Sequence, residues 1–278
     1  MPSPTEITVS QLTRLVGTEN APRVIDVRLD EDFALHPVLI PAARRCSHTA
    51  IDALAPTLGG NRVVVVCHRG LKLSQGAAAI LRTYGVEAET LAGGQLAWCD
   101  ANAPVFAPQY LPEHESSGRS LWVTRQRPKI DRLACPWLIR RFLDPDAEFL
   151  FVAADQVMAV AERFGAEPFD VDGARWQHDG ERCTFDMLLE QFGLHTDALQ
   201  RLARIVRGAD LGKHELAPEC AGLLAVSLGL SRVYRDDLAQ VEAGMTLYDA
   251  LYRWARDALD ETHAWPDGHR SKLGTSGR

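Results

Sequence analysis

A cysteine that directly follows a run of valines is the first residue whose position could do chemistry. Arg62–Val66 contains four consecutive valines, which predicts a strand covered on both faces, and Cys67 comes next. A short loop with Gly70 then leads to a helix predicted over residues 74–84. The amides of such a loop and the positive end of the next helix favour an anion. The segment therefore predicts a nucleophilic thiolate that could carry a terminal persulfide sulfur. The alternative is a plain buried cysteine at a strand end.

A second group of ligand-type side chains lies in the other half of the chain. His178 and Glu181 are three residues apart in a polar loop that enters a helix predicted over Thr184–Phe192. With Cys183 and the later Asp210 they predict a metal site. Imidazole and carboxylate ligands suit zinc or non-haem iron, and a thiolate shifts the preference toward zinc. The alternative is a turn at residues 179–180 with a helix cap and a core cysteine.

The elements that would position these residues fall into two domains. Strands predicted over residues 23–27, 62–66 and 86–91 alternate with helices, which predicts an open α/β sheet in residues 1–103. Residues 104–120 are rich in proline and glycine and read as a linker. Residues 121–262 are mainly helical with one strand candidate near residue 121, an α+β domain. Residues 263–278 are predicted to be a flexible tail.

The first domain resembles the rhodanese family. The features that carry the resemblance occur in order over residues 24–98: Ile25-Asp26-Val27-Arg28, the Cys67 loop, and Gly93-Gly94-Gln95-Leu96-Ala97-Trp98. The resemblance implies a parallel sheet flanked by helices, in which Asp26 and Arg28 brace the active loop. It also implies that Cys67 accepts sulfur from a donor such as thiosulfate or a persulfide.

The cationic residues of the loop depart from the family pattern. The fifth position after Cys67 is Lys72 where the family has arginine, and lysine lacks the bidentate fork that arginine offers an oxyanion. Thiosulfate is therefore expected to be a poor donor unless Arg69 compensates. Rhodanese-type phosphatases are a minor alternative, because a six-residue loop would cramp a phosphate-sized anion.

Residues 122–256 resemble the C-terminal domain of bacterial chromate-resistance proteins. The resemblance is carried by six segments: 127–132, 135–142, 169–171, 178–185, 205–210 and 222–231. The resemblance implies a role in chromate resistance or sensing. Because arginines match divalent tetrahedral anions well, Arg132, Arg140 and Arg207 are candidate oxyanion ligands. The alternative for each is an ordinary salt bridge, and Asp131 is expected to pair with Arg132.

Composition narrows the class of protein. The 278 residues are 46% apolar and 24% charged, as in globular proteins, and the net charge of -7 makes nucleic acid an unexpected partner. No apolar run reaches the roughly 18 residues of a membrane span, and no secretory signal pattern is seen. Six scattered cysteines favour a reducing cytoplasm over a disulfide framework.

These observations predict a sulfurtransferase-type enzyme joined to a chromate-resistance domain that binds a metal ion or an oxyanion. The alternative is a chromate- or metal-responsive sensor in which the first domain is a redox or docking module. A third reading, two structural remnants without turnover, is disfavoured because the nucleophile Cys67 is present.

Overall fold

The β-branched runs of the first half form a parallel sheet, as predicted. The computed structural model describes residues 5–112 and 119–261, so the tail predicted at 263–278 lies outside them. Within these residues the first sheet has the order β1-β5-β4-β2-β3, and every neighbouring pair is parallel. Its strands are β1 (Glu6–Ile7), β2 (Arg23–Asp26), β3 (Ala43–Arg45), β4 (Arg62–Val66) and β5 (Glu87–Leu91).

Helices cover both faces of this sheet because successive side chains of each strand point to opposite faces. The helices are α1 (Val9–Leu15), α2 (Asp30–Leu35), α3 (Ile51–Leu54), α4 (Lys72–Thr83) and α5 (Gly94–Asp100). Val63 and Val65 of β4 pack in a cluster with residues of α3 and α4, whereas Val64 and Val66 pack in a cluster shared with the second half. The predicted strands correspond to β2, β4 and β5, and the predicted helix to α4, which starts two residues earlier than expected; the other two strands and four helices were not predicted.

The second half contains a parallel sheet that sequence patterns only partly indicate. Its strands are β6 (Leu121–Arg125), β7 (Glu148–Val152) and β8 (Glu167–Pro168). In the described residues their order is β7-β6-β8, with both pairs parallel. Only β6 was predicted, because β8 has two residues and β7 shows no clear alternation. The domain therefore adds a parallel α/β layer to the helical part that was expected.

Six helices in the described part of the second half pack around this sheet and one another. They are α6 (Asp131–Leu138), α7 (Val157–Phe164), α8 (Thr184–Phe192), α9 (Asp197–Asp210), α10 (Cys220–Val233) and α11 (Asp237–Asp257). Proline usually interrupts a helix, but α6 runs through Pro136 and continues as a π-helical turn at Ile139–Leu143. Trp137 lies at the centre of the aromatic core, 5.5 to 6.4 Å from four other rings. No helix among the described residues is both long and apolar enough to cross a bilayer.

The segment predicted as a linker is packed over its described part. Phe106 is fully buried and forms an antiparallel bridge with Leu39. The next amide, of Ala107, donates to the carbonyl of Phe192 at 3.0 Å. Residues 104–112 therefore join the two halves by side-chain burial and backbone hydrogen bonds, which a free linker would not do.

The two halves share one hydrophobic core. A single cluster of buried side chains includes Leu12 and Val64 of the first half together with Trp137 and Phe142 of the second. The amide of Ala42 donates to the carbonyl of Phe142 at 2.7 Å. The Phe142 ring lies so close to Gly17 that a Cβ there would come within 2.3 Å of it. The halves are packed against each other and share this core.

Candidate metal centre and cysteine loop

Cys67 follows β4 at the carboxyl edge of the first sheet, as predicted. Its side chain is buried, 4% exposed, and Sγ lies 3.1 Å from Oγ of Ser74 in the first turn of α4. Oγ of Ser74 also lies 3.1 Å from the carbonyl oxygen of Leu71. The serine thus positions the sulfur at the start of the helix.

Close contact with a glycine pair shapes the loop that holds Cys67. The amides of Gln95 and Leu96 donate to the carbonyls of Cys67 and His68 at 3.0 and 3.1 Å. A Cβ on Gly94 would lie 2.3 Å from the carbonyl oxygen of Cys67, and Gly94 has a φ of +62°. Only glycine fits this approach at this φ. The glycine pair therefore ties down the carbonyls of the loop.

The amides of the same loop have no such partners. Among the described residues, no acceptor is found for the backbone N–H groups of residues 68–71. The first amides of α4 are likewise without an intrahelical acceptor, as at any helix start. These groups belong to the segment between Cys67 and α4, and amides without acceptors at such a place could stabilise a negative charge on the sulfur.

The predicted cations of the loop are exposed. Neither Arg69 nor Lys72 forms an ion pair with a described residue. Both remain available to attract an anionic sulfur donor to Cys67.

Asp26 and Arg28 are brought together, but away from the sulfur. They form a buried ion pair, with Nη2 of Arg28 2.6 Å from Oδ2 of Asp26. The remaining guanidinium hydrogen bonds go to the carbonyls of His36 and Val38 at 2.9 and 2.7 Å. The amide of Val27 donates to the carbonyl of Val66 at 2.8 Å, next to Cys67. With these contacts Asp26 and Arg28 are positioning residues, the bracing role that the resemblance implies, and neither is shown to touch the sulfur.

The second half brings one imidazole and three carboxylates together. Nε2 of His178 lies 3.4 Å from Oδ2 of Asp131, 3.1 Å from Oδ1 of Asp170 and 3.3 Å from Oδ2 of Asp210. Asp131 opens α6, Asp170 follows β8, and Asp210 is the last residue of α9. We call these four residues the Asp–His cluster.

Hydrogen bonds fix the orientation of two of these carboxylates. Asp131 is 1% exposed and accepts the amides of Thr184 and Phe185, at 2.6 and 3.0 Å, where α8 begins. Asp170 accepts the Thr184 hydroxyl at 3.2 Å and is paired with Arg132 at 3.1 Å. Both side chains are thus held before any ligand binds.

Backbone strain lies next to the cluster. Ile130, which precedes Asp131, has a φ of +25°, and Asp170 itself has a φ of +51°. Residues other than glycine rarely adopt these values, and a β-branched residue least of all. Such conformations concentrate where function requires a fixed geometry.

Burial and charge shift the acidity of the cluster. Hydrogen bonds to Asp131 and Asp170 raise the pKa of His178 to about 10. Burial, followed by repulsion from Asp131 and Asp170, raises the pKa of Asp210 to about 7. Burial would also raise the pKa of Asp170, but contacts with His178 and Arg132 outweigh it and the pKa is lowered. Without a metal ion, protons on His178 and Asp210 balance part of the concentrated negative charge.

The geometry of the cluster fits a metal ion. A divalent ion bound at about 2.1 Å holds neighbouring ligand atoms about 3.0 to 3.4 Å apart in octahedral or tetrahedral geometry. The separations from Nε2 of His178, 3.1 to 3.4 Å, fall in this range. One ligand atom each from Asp131, Asp170 and His178 lie within 4.8 Å of one another. A hydrogen bond cannot explain all three contacts, because Nε2 carries at most one hydrogen.

The donor set narrows the choice of metal. The group that could share one ion has one imidazole and two carboxylates, from His178, Asp131 and Asp170, and the Asp210 carboxylate lies beside it, 3.3 Å from Nε2 of His178. These donors suit zinc, non-haem iron or manganese and provide no thiolate. The His178 side chain is 38% exposed, so the cluster can be reached from solvent.

Two of the predicted metal ligands are not part of the cluster. The carboxylate of Glu181 is 86% exposed and pairs with Lys213 at 2.6 Å. Cys183 caps α8, where Sγ lies 3.3 Å from Oδ2 of Asp186, and burial raises the pKa of its thiol. Of the residues predicted from sequence, His178 and Asp210 thus lie in the cluster with Asp131 and Asp170, whereas Glu181 and Cys183 lie outside it.

Asp131 and Asp170 carry no signal in the sequence that marks them as ligands. Asp170 stands just beyond β8, and the end of a parallel strand is a common place for ligand sites, but a two-residue strand is too short to be predicted. Asp131 was expected to pair with Arg132, but its oxygens accept the amides of α8 instead. Acidic residues are common in the first turn of a helix because they interact favourably with the helix dipole, so Asp131 did not stand out in the sequence.

The predicted oxyanion ligands do not converge. Arg132 lies at the cluster through Asp170, whereas Arg140 pairs with Glu242 at 2.6 Å. Arg207 pairs with Asp186 at 2.9 Å. Another arginine, Arg125, lies 3.2 Å from Asp170 and was missed because it ends β6 without belonging to a recognisable motif. Arg125 and Arg132 therefore flank the cluster, and the other two arginines form separate ion pairs.

Comparison with known proteins gives a match for the second half. Residues 122–255 match the sequence model of the family described as ChrB, C-terminal domain. The chain is 37% identical over 179 residues to Protein ChrB of Cupriavidus metallidurans, covering 59% of this chain and 53% of that protein. The chain thus spans about half the length of this curated relative.

Solved structures similar to the chain match its first half. A rhodanese-like domain protein from Staphylococcus aureus is 25% identical, with a TM-score of 0.31, covering 34% of this chain and 90% of that one. A thiosulfate sulfurtransferase from Pseudomonas aeruginosa is 27% identical, with a TM-score of 0.31, covering 37% of this chain and 19% of that one.

Proposed function

Because residues 122–255 match the family model described as ChrB, C-terminal domain, we propose that this part of the chain holds one divalent metal ion and serves chromate resistance. The observation that carries the proposal is that Nε2 of His178 faces carboxylates of Asp131, Asp170 and Asp210 at 3.1 to 3.4 Å. The link to chromate rests on the resemblance of the second half to chromate-resistance proteins.

Charge explains why an oxyanion would need the metal. Three carboxylates alone repel chromate, which is itself a dianion. A divalent ion together with the guanidinium groups of Arg125 and Arg132 offsets the three carboxylates and leaves a net positive charge. When bound, the ion would act as a Lewis acid, with a coordination position for water or an oxyanion. Arg132 would hold Asp170 in place, and the exposed edge of His178 leaves a route for the anion.

Elemental analysis by inductively coupled plasma mass spectrometry tests the metal. We expect about one zinc, iron or manganese ion per chain in protein purified without chelator. His178→Ala and Asp210→Ala should each lose it, because each removes the side-chain donor atoms of one residue.

Glu181→Gln is the matched control, since Glu181 lies in the same loop but pairs with Lys213 outside the cluster. The control should retain the metal. Two results would refute the site. One is wild-type protein that binds no metal after incubation with each of the three ions, and the other is a Glu181→Gln variant that loses as much metal as the cluster variants. Circular dichroism spectra must show that every variant is folded.

The first half supports a second activity at a separate site. We propose that Cys67 carries a persulfide, because its sulfur lies beside a loop whose amides at residues 68–71 have no acceptor among the described residues. Arg69 and Lys72 would attract the anionic donor.

The proposed sulfur transfer balances in two displacements. The Cys67 thiolate attacks the sulfane sulfur of thiosulfate, the S–S bond breaks, and sulfite leaves with the electron pair. A nucleophile such as cyanide then attacks the outer sulfur, gives thiocyanate and returns the thiolate. The loop amides would stabilise the negative sulfur in both steps.

Mass spectrometry after incubation with thiosulfate, or with glutathione persulfide, tests this activity. We expect a mass gain of one sulfur atom on wild type, and none on Cys67→Ser. Cys99→Ser is the control because Cys99 lies on α5 and is half-buried outside the loop. An unmodified Cys67 with both donors would leave the alternative of a redox or docking module, in which the second half acts as a metal or chromate sensor.

A further inference from the structure

Helix α10 (Cys220–Val233) carries its polar and apolar residues on unexpected sides. A surface helix normally buries an apolar stripe and exposes charged residues. The inward face of α10 instead includes two serines, Ser227 and Ser231, which are 0% and 4% exposed. Residues 220–231 contain no charged side chain at all. The helix is therefore built to keep an apolar surface on the outside.

The outward face of α10 is apolar, and two of its positions are glycines without a side chain. Val226 is 46% and Val233 is 73% exposed. Gly222 and Gly229 lie on the same face, and a Cβ on either would meet nothing within 4 Å. Residues at spacings of three and four form one stripe of a helix, so these positions make a shallow channel that another helix could enter closely.

Charged residues flank this stripe with opposite sign at its two ends. Glu215 and Glu219 precede the helix, and Arg232 and Arg235 stand at its end. None of the four forms an ion pair with a described residue.

Nearby residues of the other sign make contacts within the fold. Asp236 accepts the amide of Ala239 at 2.7 Å, Asp237 accepts the amide of Arg127 at 3.1 Å, and Lys213 pairs with Glu181. Glu219 at one end of the stripe and Arg232 at the other therefore remain charges that no described residue pairs.

We propose that this face binds α10 of a second copy of the chain, antiparallel, about a two-fold axis. An axis between Ala225 and Val226 places Gly222 opposite Gly229 of the second copy. The same axis brings the Glu219 end of one helix beside the Arg232 end of the other. An isologous interface requires one surface to be complementary to itself, and this stripe meets that requirement in both shape and charge.

Sedimentation equilibrium of the full chain tests the dimer. Wild type should dimerise at micromolar concentration. Val226→Glu should weaken the dimer by about 100-fold or more, since it places two buried charges beside the axis. Phe164→Glu is the control, because Phe164 is 59% exposed on α7 and lies outside the stripe. It should leave the dissociation constant unchanged.

Charge reversal tests the orientation even if Val226→Glu fails to fold. Glu219→Arg and Arg232→Glu should each weaken the dimer by about tenfold, and the double variant should restore most of the affinity. A wild type that is monomeric at about 0.5 mM overturns the proposal. So does a dimer that all of these variants leave intact, or a double variant that is weaker than both single ones.

Discussion

Asp131 and His178 meet across the start of helix α8. Oδ2 of Asp131 lies 3.4 Å from Nε2 of His178, and the same oxygen accepts the amide of Thr184 at 2.6 Å. One carboxylate therefore anchors a helix and presents a charge to the Asp–His cluster. Ligand binding and helix position are coupled through this side chain.

Asp131→Asn should affect both stability and metal content. The amide group keeps the size of the side chain but replaces one acceptor with a donor that faces a backbone N–H. We expect the free energy of unfolding of the metal-free protein to fall by about 1 to 3 kcal/mol, and the metal to be lost. Urea unfolding and elemental analysis measure the two effects. Glu181→Gln should change neither, and an Asp131→Asn protein with wild-type stability would contradict the contacts described.

Metal affinity should rise with pH, because the ligands must lose protons to bind. The pKa of His178 is raised to about 10 and that of Asp210 to about 7. Below pH 7, metal binding should release about two protons, so the association constant should rise about 100-fold per pH unit. Between pH 7 and 10, binding should release about one proton, so the association constant should rise about tenfold per pH unit. Calorimetry in buffers of different ionisation enthalpy counts these protons. Asp210→Asn should remove the second one; affinity independent of pH would contradict the assignment.

Stability of the metal-free protein should depend on pH in the opposite sense. The folded pKa of Asp210 is raised from 3.8 to about 7, so the folded state binds more protons in that interval and stability falls as pH rises. His178, raised from 6.5 to about 10, extends the loss above pH 6.5. Melting temperatures measured with chelator should therefore decline from pH 5 to 9. In Asp210→Asn the melting temperature should change less with pH in the range below pH 7. A variant with the same pH dependence as wild type would count against the raised pKa of Asp210.

Gly94→Ala should damage the cysteine loop. The new Cβ would lie 2.3 Å from the carbonyl oxygen of Cys67 and 2.4 Å from the amide of Gly70, at a positive φ. We expect a loss of about 2 kcal/mol or more and of sulfur loading on Cys67. Gly76→Ala is the control, since Gly76 lies inside α4 with nothing within 4 Å of its Cβ. It should stabilise the protein by about 0.5 to 1 kcal/mol; equal effects in thermal unfolding would refute the role of the close approach.

Arg28→Met should separate a positioning role from a catalytic one. The substitution leaves the buried carboxylate of Asp26 without its partner, which costs about 3 to 5 kcal/mol. Arg23→Met is the control, because its pair with Asp146 is partly exposed and is worth at most about 1 kcal/mol. Denaturant titration gives both values. At temperatures where Arg28→Met is fully folded, persulfide loading of Cys67 should be retained; its loss in folded protein would make Arg28 catalytic.

The cysteine loop could be predicted from sequence because its parts are contiguous. The strand, Cys67, the loop glycine and the helix follow one another, and the glycine pair that packs on them carries its own signal. The Asp–His cluster draws on four separate segments, and no spacing rule connects residues 131, 170, 178 and 210. His178 and Asp210 were predicted as metal ligands because each stands near other polar residues in the sequence.

The error over Glu181 has a local cause. A three-residue spacing brings two side chains to one face only in a helix, whereas residues 179–182 form a tight turn closed by an antiparallel bridge between Asp179 and Arg182. The turn directs Glu181 outward, to Lys213. Strand β8 and the positive φ of Asp170 depend on tertiary packing and leave no pattern in the sequence.

The contact of Phe142 with Gly17 has a consequence for how the molecule loses its structure. With one core running through both halves, the chain should melt in a single cooperative transition, and neither half should fold to full stability when expressed alone. A ligand that binds only the native Asp–His cluster would then raise the melting temperature reported by any probe near Cys67. The sulfur-carrying half would be thermally protected by an ion it never touches.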